Sequence, residues 1–354
     1  MKPSLARFRD PELGRRILED VQVLAGRAAD ALGRKVRFME VCGTHTVAIS
    51  QLGLRGLLGD KVELLSGPGC PVCVTDQADI DLVVELARLP GVTVATFGDL
   101  LRVPGTSSSL DKERSSGKSI KVCYSPWEAV ELAVAIPERR VIFVGIGFET
   151  TAPAVAVSLN EAIRRGISNF YLLSLHKLVP PVMQALASDP DLKIDGFLLP
   201  GHVSTIIGRR EFELALEGAG KPSVIAGFEP VDILVALKLL LEQLVSGTAS
   251  VVNGYPRAVR EEGNTQAKKI MSEFFVPADA SWRGLGMVPR SGLKLRPQYI
   301  SRDAASVFEV CIPPAVPRRG CRCGEVLSGR ITPRACALFG LVCTPESPAG
   351  PCMV

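Results

Sequence analysis

Three thiols and one imidazole lie in two short segments that have the same local design. Cys42-Gly-Thr-His45 and Cys70-Pro-Val-Cys73 each follow an apolar run typical of a β-strand, and a helical pattern begins soon after each. In a parallel α/β sheet this position is the carboxyl end of a strand facing a helix N-terminus, where ligands bind and negative charge is favoured. We therefore expect the four side chains to form one reactive site, with a lowered pKa for Cys42.

The spacing within each segment indicates a particular chemistry. Cys70 and Cys73 form a CxxC pair that opens a helix, as in thioredoxin-like sites, with Cys70 the expected nucleophile. The alternative is one half of a metal knuckle, although no second CxxC completes a zinc ribbon. Cys42 and His45 lie three residues apart on a first helical turn, so they could share a metal ion or a reacting carbon. The alternative there is a buried cysteine with a hydrogen-bonded histidine.

A second group of thiols lies in the C-terminal tail. The tail from Cys311 is poor in apolar residues, so a metal centre would have to supply the free energy that folds it. The spacing matches no common ferredoxin pattern, which leaves a 4Fe-4S cluster, a four-thiolate zinc and unpaired structural thiols all open. Cys352 lies outside the tight group. The four grouped thiols are Cys321, Cys323, Cys336 and Cys343.

The remaining candidate residues follow later predicted strands. His202 comes after Pro-Gly and His176 after Ser-Leu, so all three histidines of the chain lie at predicted strand ends. Glu149 and Glu229, each preceded by Gly-Phe, are candidate site carboxylates, and the alternative for both is a helix N-cap. Polar chemistry is thus expected along one edge of the sheets.

Short apolar runs alternate with helical stretches along most of the chain, which predicts an α/β fold with parallel sheets and right-handed crossovers. An amphipathic helix is predicted over residues 11–32 and a further helix over 257–274. Helices are also predicted over 76–88, 126–136, 151–165, 178–187 and 230–246. The predicted strands are 35–41, 62–65, 92–96, 120–124, 140–144, 170–174, 196–199 and 224–226.

Eight strands suit two sheets of about four strands each. We predict a first α/β domain over residues 1–130 and a second over 131–254, facing each other across a cleft. Residues 255–354 are predicted to form a C-terminal helix and a Cys-rich domain. The serine-rich stretch from Ser107 to Lys118 is predicted to be an exposed flexible loop.

Composition excludes several classes of function. Aromatic residues make up 5% of the 354 residues and the net charge of +4 is spread along the chain, so nucleic-acid binding is not expected. The N-terminus has no signal-peptide pattern and no apolar run is long enough for a bilayer, so we expect a cytoplasmic protein without membrane contact. Ten cysteines in a reducing compartment favour redox or metal chemistry over disulfides.

Taken together, the motifs resemble those of the HypD family of NiFe-hydrogenase maturation factors. They occur in order from about residue 10 to the end of the chain, and they are CGTHT, GPGCPVC, GFETTAP, PGHVS, GFEP and the four-cysteine group. The resemblance implies a scaffold on which the Fe(CN)2CO group is assembled. The implied partners are the small chaperone HypC and HypE, which supplies cyanide.

By position, the resemblance implies that Cys42 binds the iron of Fe(CN)2CO together with a cysteine of HypC, with Thr44 and His45 beside it. It implies a redox role for Cys70 and Cys73 and a 4Fe-4S cluster held by the four grouped tail thiols. Glu149 and His202 complete the expected catalytic set.

We expect an assembly scaffold with redox activity rather than a conventional turnover enzyme. The main alternative is a free-standing thiol–disulfide oxidoreductase with an iron–sulfur cluster, which would act on an exogenous disulfide without partners. A third is a zinc-stabilised binding module, which would be colourless and carry stoichiometric zinc.

Overall fold

A computed structural model of the chain describes residues 5–312, 314–316 and 318–353 and contains two separate parallel sheets and one antiparallel hairpin. The strands are β1 (Val36–Glu40), β2 (Val62–Ser66), β3 (Val92–Thr96), β4 (Ile120–Val122), β5 (Arg140–Gly145), β6 (Phe170–Ser174), β7 (Gly196–Pro200), β8 (Ser223–Ala226), β9 (Val251–Asn253), β10 (Phe275–Trp282) and β11 (Gly286–Leu295).

Helices follow most of these strands, as expected of parallel α/β units. They are α1 (Pro11–Leu32), α2 (Gly43–Gln51), α3 (Leu54–Leu58), α4 (Pro71–Val74), α5 (Gln77–Arg88), α6 (Leu110–Ser115), α7 (Pro126–Ala135), α8 (Ala152–Arg164), α9 (Val179–Ala187), α10 (Gly201–Ile207), α11 (Arg209–Ala215), α12 (Pro230–Ser246), α13 (Thr265–Phe274), α14 (Ala304–Val307) and α15 (Cys323–Leu327). In the part of the chain that the structure describes, no helix is long and apolar enough to cross a membrane.

All eight predicted strands are present as β1 to β8, which confirms the α/β fold. Local capping explains why α1 was predicted with its correct ends. Asp10 accepts hydrogen bonds from the backbone N–H groups of Glu12 and Leu13, Pro11 begins the helix, and Gly33 ends it with a positive φ of 64°. Such signals lie within the sequence next to the helix they define.

The first compact unit contains a five-stranded sheet in the order β2-β1-β7-β8-β9, with every pair parallel. This unit runs from the N-terminus to Cys70 and resumes over Pro180–Thr265 and Ser328–Arg330. Helices α1 and α12 pack together on the sheet, and their apolar faces form one core with it. Representative core residues are Val21, Ala25, Phe38, Ile233 and Leu240.

The second compact unit contains a four-stranded parallel sheet in the order β4-β3-β5-β6 and the β10–β11 hairpin. It comprises Pro71–Val179, Gln266–Leu327 and Ile331–Val354. Phe143, Leu159 and Leu172 form its core with Phe275 and Leu293 of the hairpin. The sequence patterns did not reveal β9 or the full hairpin, and α13 begins at Thr265 rather than at residue 257.

The predicted domain boundaries at residues 130 and 254 are wrong because they follow chain order, whereas the strands do not. β1 pairs with β7, more than 150 residues away, so β7 to β9 join the unit of β1 and β2. Asp195 fixes this pairing. Its carboxylate accepts two hydrogen bonds from the Arg34 guanidinium, at 2.8 and 2.7 Å, and one from the backbone N–H of Arg37 on β1, at 2.8 Å.

The predicted flexible loop from Ser107 to Lys118 is also wrong, because it contains α6. Ser109 caps the helix through the backbone N–H of Lys112, and the Leu110 side chain is buried. Glu113 forms an ion pair of 2.6 Å with Arg88 on α5. Contacts with α5, which the serine-rich sequence does not show, thus order this segment.

We predict that Asp195→Asn lowers the free energy of unfolding by about 1–3 kcal/mol, because a buried carboxylate with three donors is replaced by an amide. The matched control is Glu63→Gln, since Glu63 also pairs with an arginine, Arg37, but its side chain is 42% exposed. This control should cost at most about 0.5 kcal/mol. Thermal and urea unfolding measure both variants, and equal losses would contradict the proposed anchoring role.

Candidate functional site

The turns that follow β1 and β2 touch each other through their backbones. The N–H of Gly43 donates to the carbonyl of Gly69 at 3.1 Å, and a Cβ added to Gly69 would overlap the backbone nitrogen of Cys42. Only glycine therefore fits at position 69. Because β1 and β2 are neighbours in the sheet, the loops that carry Cys42 and Cys70 lie side by side.

Cys42 is the N-cap residue of α2, and its thiol is almost completely buried. Burial raises the pKa of the Cys42 thiol, while the backbone N–H groups of His45 and Thr44 and the Thr44 hydroxyl act in the opposite direction. The expectation of a lowered pKa is therefore wrong for the protein alone, because desolvation outweighs the helix N-terminus. Thiolate formation at this position calls for a compensating cation.

His45 lies on the first turn of α2, three residues after Cys42, and its side chain is completely buried. Its Nε2 lies 3.0 Å from the carbonyl oxygen of Gly227, so Nε2 carries the proton and donates it. Nδ1 then has a free lone pair, and no group in the described part of the chain donates to it. Burial lowers the pKa of His45 to about 4, so the imidazole is neutral at physiological pH.

Phe228 connects His45 with the exposed His202. The Phe228 ring is stacked on His45 with 4.7 Å between ring centroids and on His202 with 3.8 Å. Tyr255 contacts the same ring edge-on at 6.1 Å. His202 therefore belongs to the same aromatic group as His45, and burial lowers its pKa. Sequence reasoning missed Phe228, whose only signal was its place between Gly227 and a predicted N-cap.

Glu40, at the end of β1, is a second residue that sequence reasoning missed. Its Oε1 accepts hydrogen bonds from Arg55 at 2.9 Å and from Ser66 at 2.8 Å. Burial raises its pKa to about 7, and its charge opposes ionisation of Cys42. The signal was present in the sequence, since Glu40 stands between the apolar residues Met39 and Val41 of a predicted strand.

Cys70 and Cys73 are disulfide-bonded, whereas the other eight cysteines are free. Cys73 lies on α4, and α4 packs against a 3-10 helix over Pro351–Met353. The latter helix carries Cys352. The second residue of the CxxC pair is thus on a helix that contacts the tail.

The tail thiols are close enough to interact with each other. A hydrogen bond with Cys323 raises the pKa of the Cys321 thiol, and a hydrogen bond with Cys323 lowers the pKa of Cys352. A Cβ added to Gly350 would lie 2.7 Å from Cys321 Sγ, and Cys343 Sγ accepts from the Ala349 N–H at 3.2 Å. Cys352, which the spacing left aside, therefore belongs to the group. Within the described ranges, no three His, Cys, Asp or Glu side chains are arranged around one point as a metal site.

Arg283, at the tip of the β10–β11 hairpin, places a positive charge beside these thiols, where an anionic group would be stabilised. Its N–H groups donate to the Val74 and Thr75 carbonyls and to the side-chain oxygen of Gln77, and its charge partly offsets the rise in the pKa of Cys321. Its Nη2 is buried and, among the described residues, has no acceptor. A thiolate-bound cluster carries the negative charge and sulfur acceptors that would satisfy this guanidinium.

The two candidate carboxylates contact helix ends. Glu149 is buried and accepts the backbone N–H of Val179 at the start of α9, at 2.8 Å. Glu229 is the N-cap residue of α12 and forms an ion pair with Arg9, which confirms the N-cap interpretation. Both carboxylates therefore lie at the start of a helix, Glu149 at α9 and Glu229 at α12.

His176 is held neutral inside the second unit. The Ser174 hydroxyl donates to the Leu293 carbonyl at 2.8 Å, so it accepts from His176 Nδ1 at 3.0 Å. Burial lowers the pKa of His176 to about 3 from an ordinary value of 6.5. Protonation would therefore favour the unfolded chain.

We predict that His176 makes the protein less stable as the pH falls below 6.5. The unfolded chain binds a proton near that pH and the folded imidazole does not, so the loss approaches about 1.4 kcal/mol per pH unit. His176→Asn, which keeps an Nδ1-like donor, should reduce the pH slope of the unfolding free energy. Denaturant titrations from pH 7 to pH 5 test this, with the exposed His202→Asn as control. Parallel curves for wild type and His176→Asn would contradict it.

Comparison with known proteins places these features in a family. A family model described as "HypD: Hydrogenase formation hypA family" matches residues 15–354. Hydrogenase maturation factor HypD of Rhizobium leguminosarum bv. viciae is 44% identical over 355 residues, which cover 98% of this chain and 91% of the relative. The HypD proteins of Rhodobacter capsulatus and Escherichia coli are 42% and 40% identical, and each alignment covers 98% of this chain and 93% of the relative.

Proposed function

This chain belongs to the HypD family of hydrogenase maturation factors, and we propose that it is a scaffold on which the Fe(CN)2CO group of NiFe hydrogenases is assembled. The observation that carries the proposal is Cys42 at the start of α2, against the turn that leads to the CxxC pair. The partners in this proposal are a HypC-type chaperone and a HypE-type cyanide donor.

Cys42 is proposed to bind the iron of the Fe(CN)2CO group as a thiolate, together with a cysteine of the HypC-type partner. A soft thiolate suits Fe(II) that carries cyanide and carbon monoxide. Iron binding displaces the thiol proton, and the N–H groups of Thr44 and His45 then stabilise the sulfur anion. The free lone pair on His45 Nδ1, three residues after Cys42 on the first turn of α2, is available to accept a proton or a hydrogen bond.

The tail thiols are proposed to hold a 4Fe-4S cluster, which supplies one-electron chemistry when bound. Five thiols, including Cys352, compete for four ligand positions, and the contact of Cys352 with Cys323 supports a place for Cys352. The Cys70–Cys73 disulfide takes up two electrons and two protons to become two thiols, and releases them again when it re-forms. This pair is the proposed local source of electrons for the Cys42 site.

The oxidised state of Cys70 and Cys73 also favours the alternative function, a free-standing thiol–disulfide oxidoreductase. The two functions differ in their use of Cys42. A scaffold needs Cys42 for iron, whereas an oxidoreductase does not.

We predict that Cys42→Ala abolishes the cyanide and carbon monoxide infrared bands on the purified complex with the HypC-type partner, because the iron loses its thiolate. The matched control is Cys123→Ala, which removes another buried free thiol and should keep the bands. Infrared spectroscopy with iron analysis measures the outcome. Bands of wild-type intensity in Cys42→Ala would contradict the proposal.

We predict that anaerobically purified protein contains about four iron and four sulfide and absorbs broadly in the visible. Cys336→Ser, Cys343→Ser and Cys352→Ser should each lose most of this iron, because each removes a proposed ligand. Cys311→Ser changes an exposed tail thiol and should retain the wild-type content. Colourless protein with one zinc would contradict the cluster. Full iron content in Cys352→Ser would show that Cys323, rather than Cys352, supplies the fourth ligand.

A further inference from the structure

A cleft of about 580 Å³ lies within the second unit. We call it the basic cleft, because its lining contains four cationic side chains and two anionic ones. The anionic residues are Asp111, which pairs with Arg114 at 2.9 Å, and Glu346. The cationic residues, all exposed, are Arg102, Lys112, Arg318 and Arg319. Such an excess of exposed positive charge selects for acidic partners.

The wall of the basic cleft formed by the Gly105–Thr106 turn is fixed from inside by a buried carboxylate. Asp81 accepts hydrogen bonds from the Thr106 N–H and from the Thr106 hydroxyl, both at 2.6 Å. The Gly105 N–H donates to the Ser108 carbonyl at 2.8 Å, and a Cβ on Gly105 would lie 2.6 Å from Asp81 Oδ1. The surface is therefore formed before any partner arrives, which lowers the entropic cost of binding.

Part of the lining of the basic cleft belongs to the backbone that contacts the tail thiols. Ala349 lines the cleft while its N–H donates to Cys343 Sγ at 3.2 Å. The next residue, Gly350, packs directly against Cys321 Sγ. Arg318 also lines the cleft, and its carbonyl accepts the N–H of Cys321 at 3.0 Å. A molecule seated in the cleft is thus separated from the thiols by a single layer of backbone.

We infer that the basic cleft docks an acidic one-electron carrier protein that supplies this scaffold with reducing equivalents. The inference rests on the proposed function of the tail thiols and names the electron donor for that site. Two carrier molecules are each oxidised by one electron, and the Cys70–Cys73 disulfide gains these two electrons and two solvent protons to become two thiols. A protein partner is favoured over a small anion because the four cations are all solvent-exposed, as in electrostatically steered docking surfaces.

The test measures binding of an acidic plant-type 2Fe-2S ferredoxin to the anaerobically purified protein, as a dissociation constant at several salt concentrations. Arg318→Glu/Arg319→Glu and Arg102→Glu/Lys112→Glu should each weaken binding about tenfold or more at low salt, and wild-type affinity should fall as salt rises. The matched control is Arg15→Glu/Arg16→Glu on α1, which makes the same charge change on exposed residues and should change affinity less than about threefold.

A second readout counts Cys70 and Cys73 thiols by alkylation and mass spectrometry after addition of reduced ferredoxin or of dithionite. Both cleft variants should lose reduction by ferredoxin and keep reduction by dithionite. Arg318 and Arg319 lie close to Cys321 in the sequence, so their substitution could also release iron. In that case the Arg102→Glu/Lys112→Glu variant, whose substitutions lie outside the tail, still tests docking. Equal affinities for all variants in iron-replete protein would overturn the docking inference and leave the proposed function intact. Iron-free protein would instead overturn the proposed function.

Inorganic phosphate serves as the small-anion probe. Phosphate binding that the cleft variants abolish, with ferredoxin binding unchanged, would identify a small-anion site and overturn the docking inference. Phosphate that merely competes with ferredoxin for the same four residues would support it.

Discussion

The site around Cys42 depends on the position of β1 between β2 and β7 in the first sheet. Parallel strands end at one edge, so this pairing brings the turn of Cys42, the turn before Cys70 and the helix start that carries His202 to the same edge. β8, the next neighbour, adds Gly227 and Phe228. Four segments that are distant in the chain thereby supply one site. The hydrogen bonds of Asp195 hold the pairing on which this arrangement rests.

Desolvation sets the chemical state of this site and of the histidine in the second unit. Burial raises the pKa of Cys42 and of Glu40 and lowers the pKa of His45 and of His176, so all four groups are shifted towards their neutral forms. Helix N-terminal N–H groups reduce this effect at Cys42 but do not reverse it. A buried neutral thiol beside a neutral imidazole is poorly reactive towards oxidants. A site of this kind is suited to a metal fragment whose charge makes ionisation favourable.

The sequence was sufficient wherever the determining contacts are local. Strands β1 to β8, the ends of α1 and the turns that carry Cys42 and Cys70 are encoded within a few neighbouring residues, and they were predicted. The partners of β1 were not, because hydrophobic patterns define a strand without naming its neighbour. The pKa of Cys42 was wrong for a related reason, since burial comes from distant segments. Cys352 was left aside because spacing along a chain does not report which thiols converge in a folded tail.

The insertion of β3 to β6 between the two halves of the first sheet has a consequence for biosynthesis. β1 and β2 are synthesised early, yet their sheet needs β7 to β9, which follow the whole of β3 to β6. The nascent polypeptide therefore carries an incomplete, apolar half-sheet while the inserted β3–β6 segment leaves the ribosome. During that interval the Cys42 turn can contact the turn of Gly69, but Gly227 and Phe228, the partners of His45, have not been synthesised. The part of the site around His45 thus matures late, after translation has passed residue 228, even though Cys42 and His45 lie near the N-terminus.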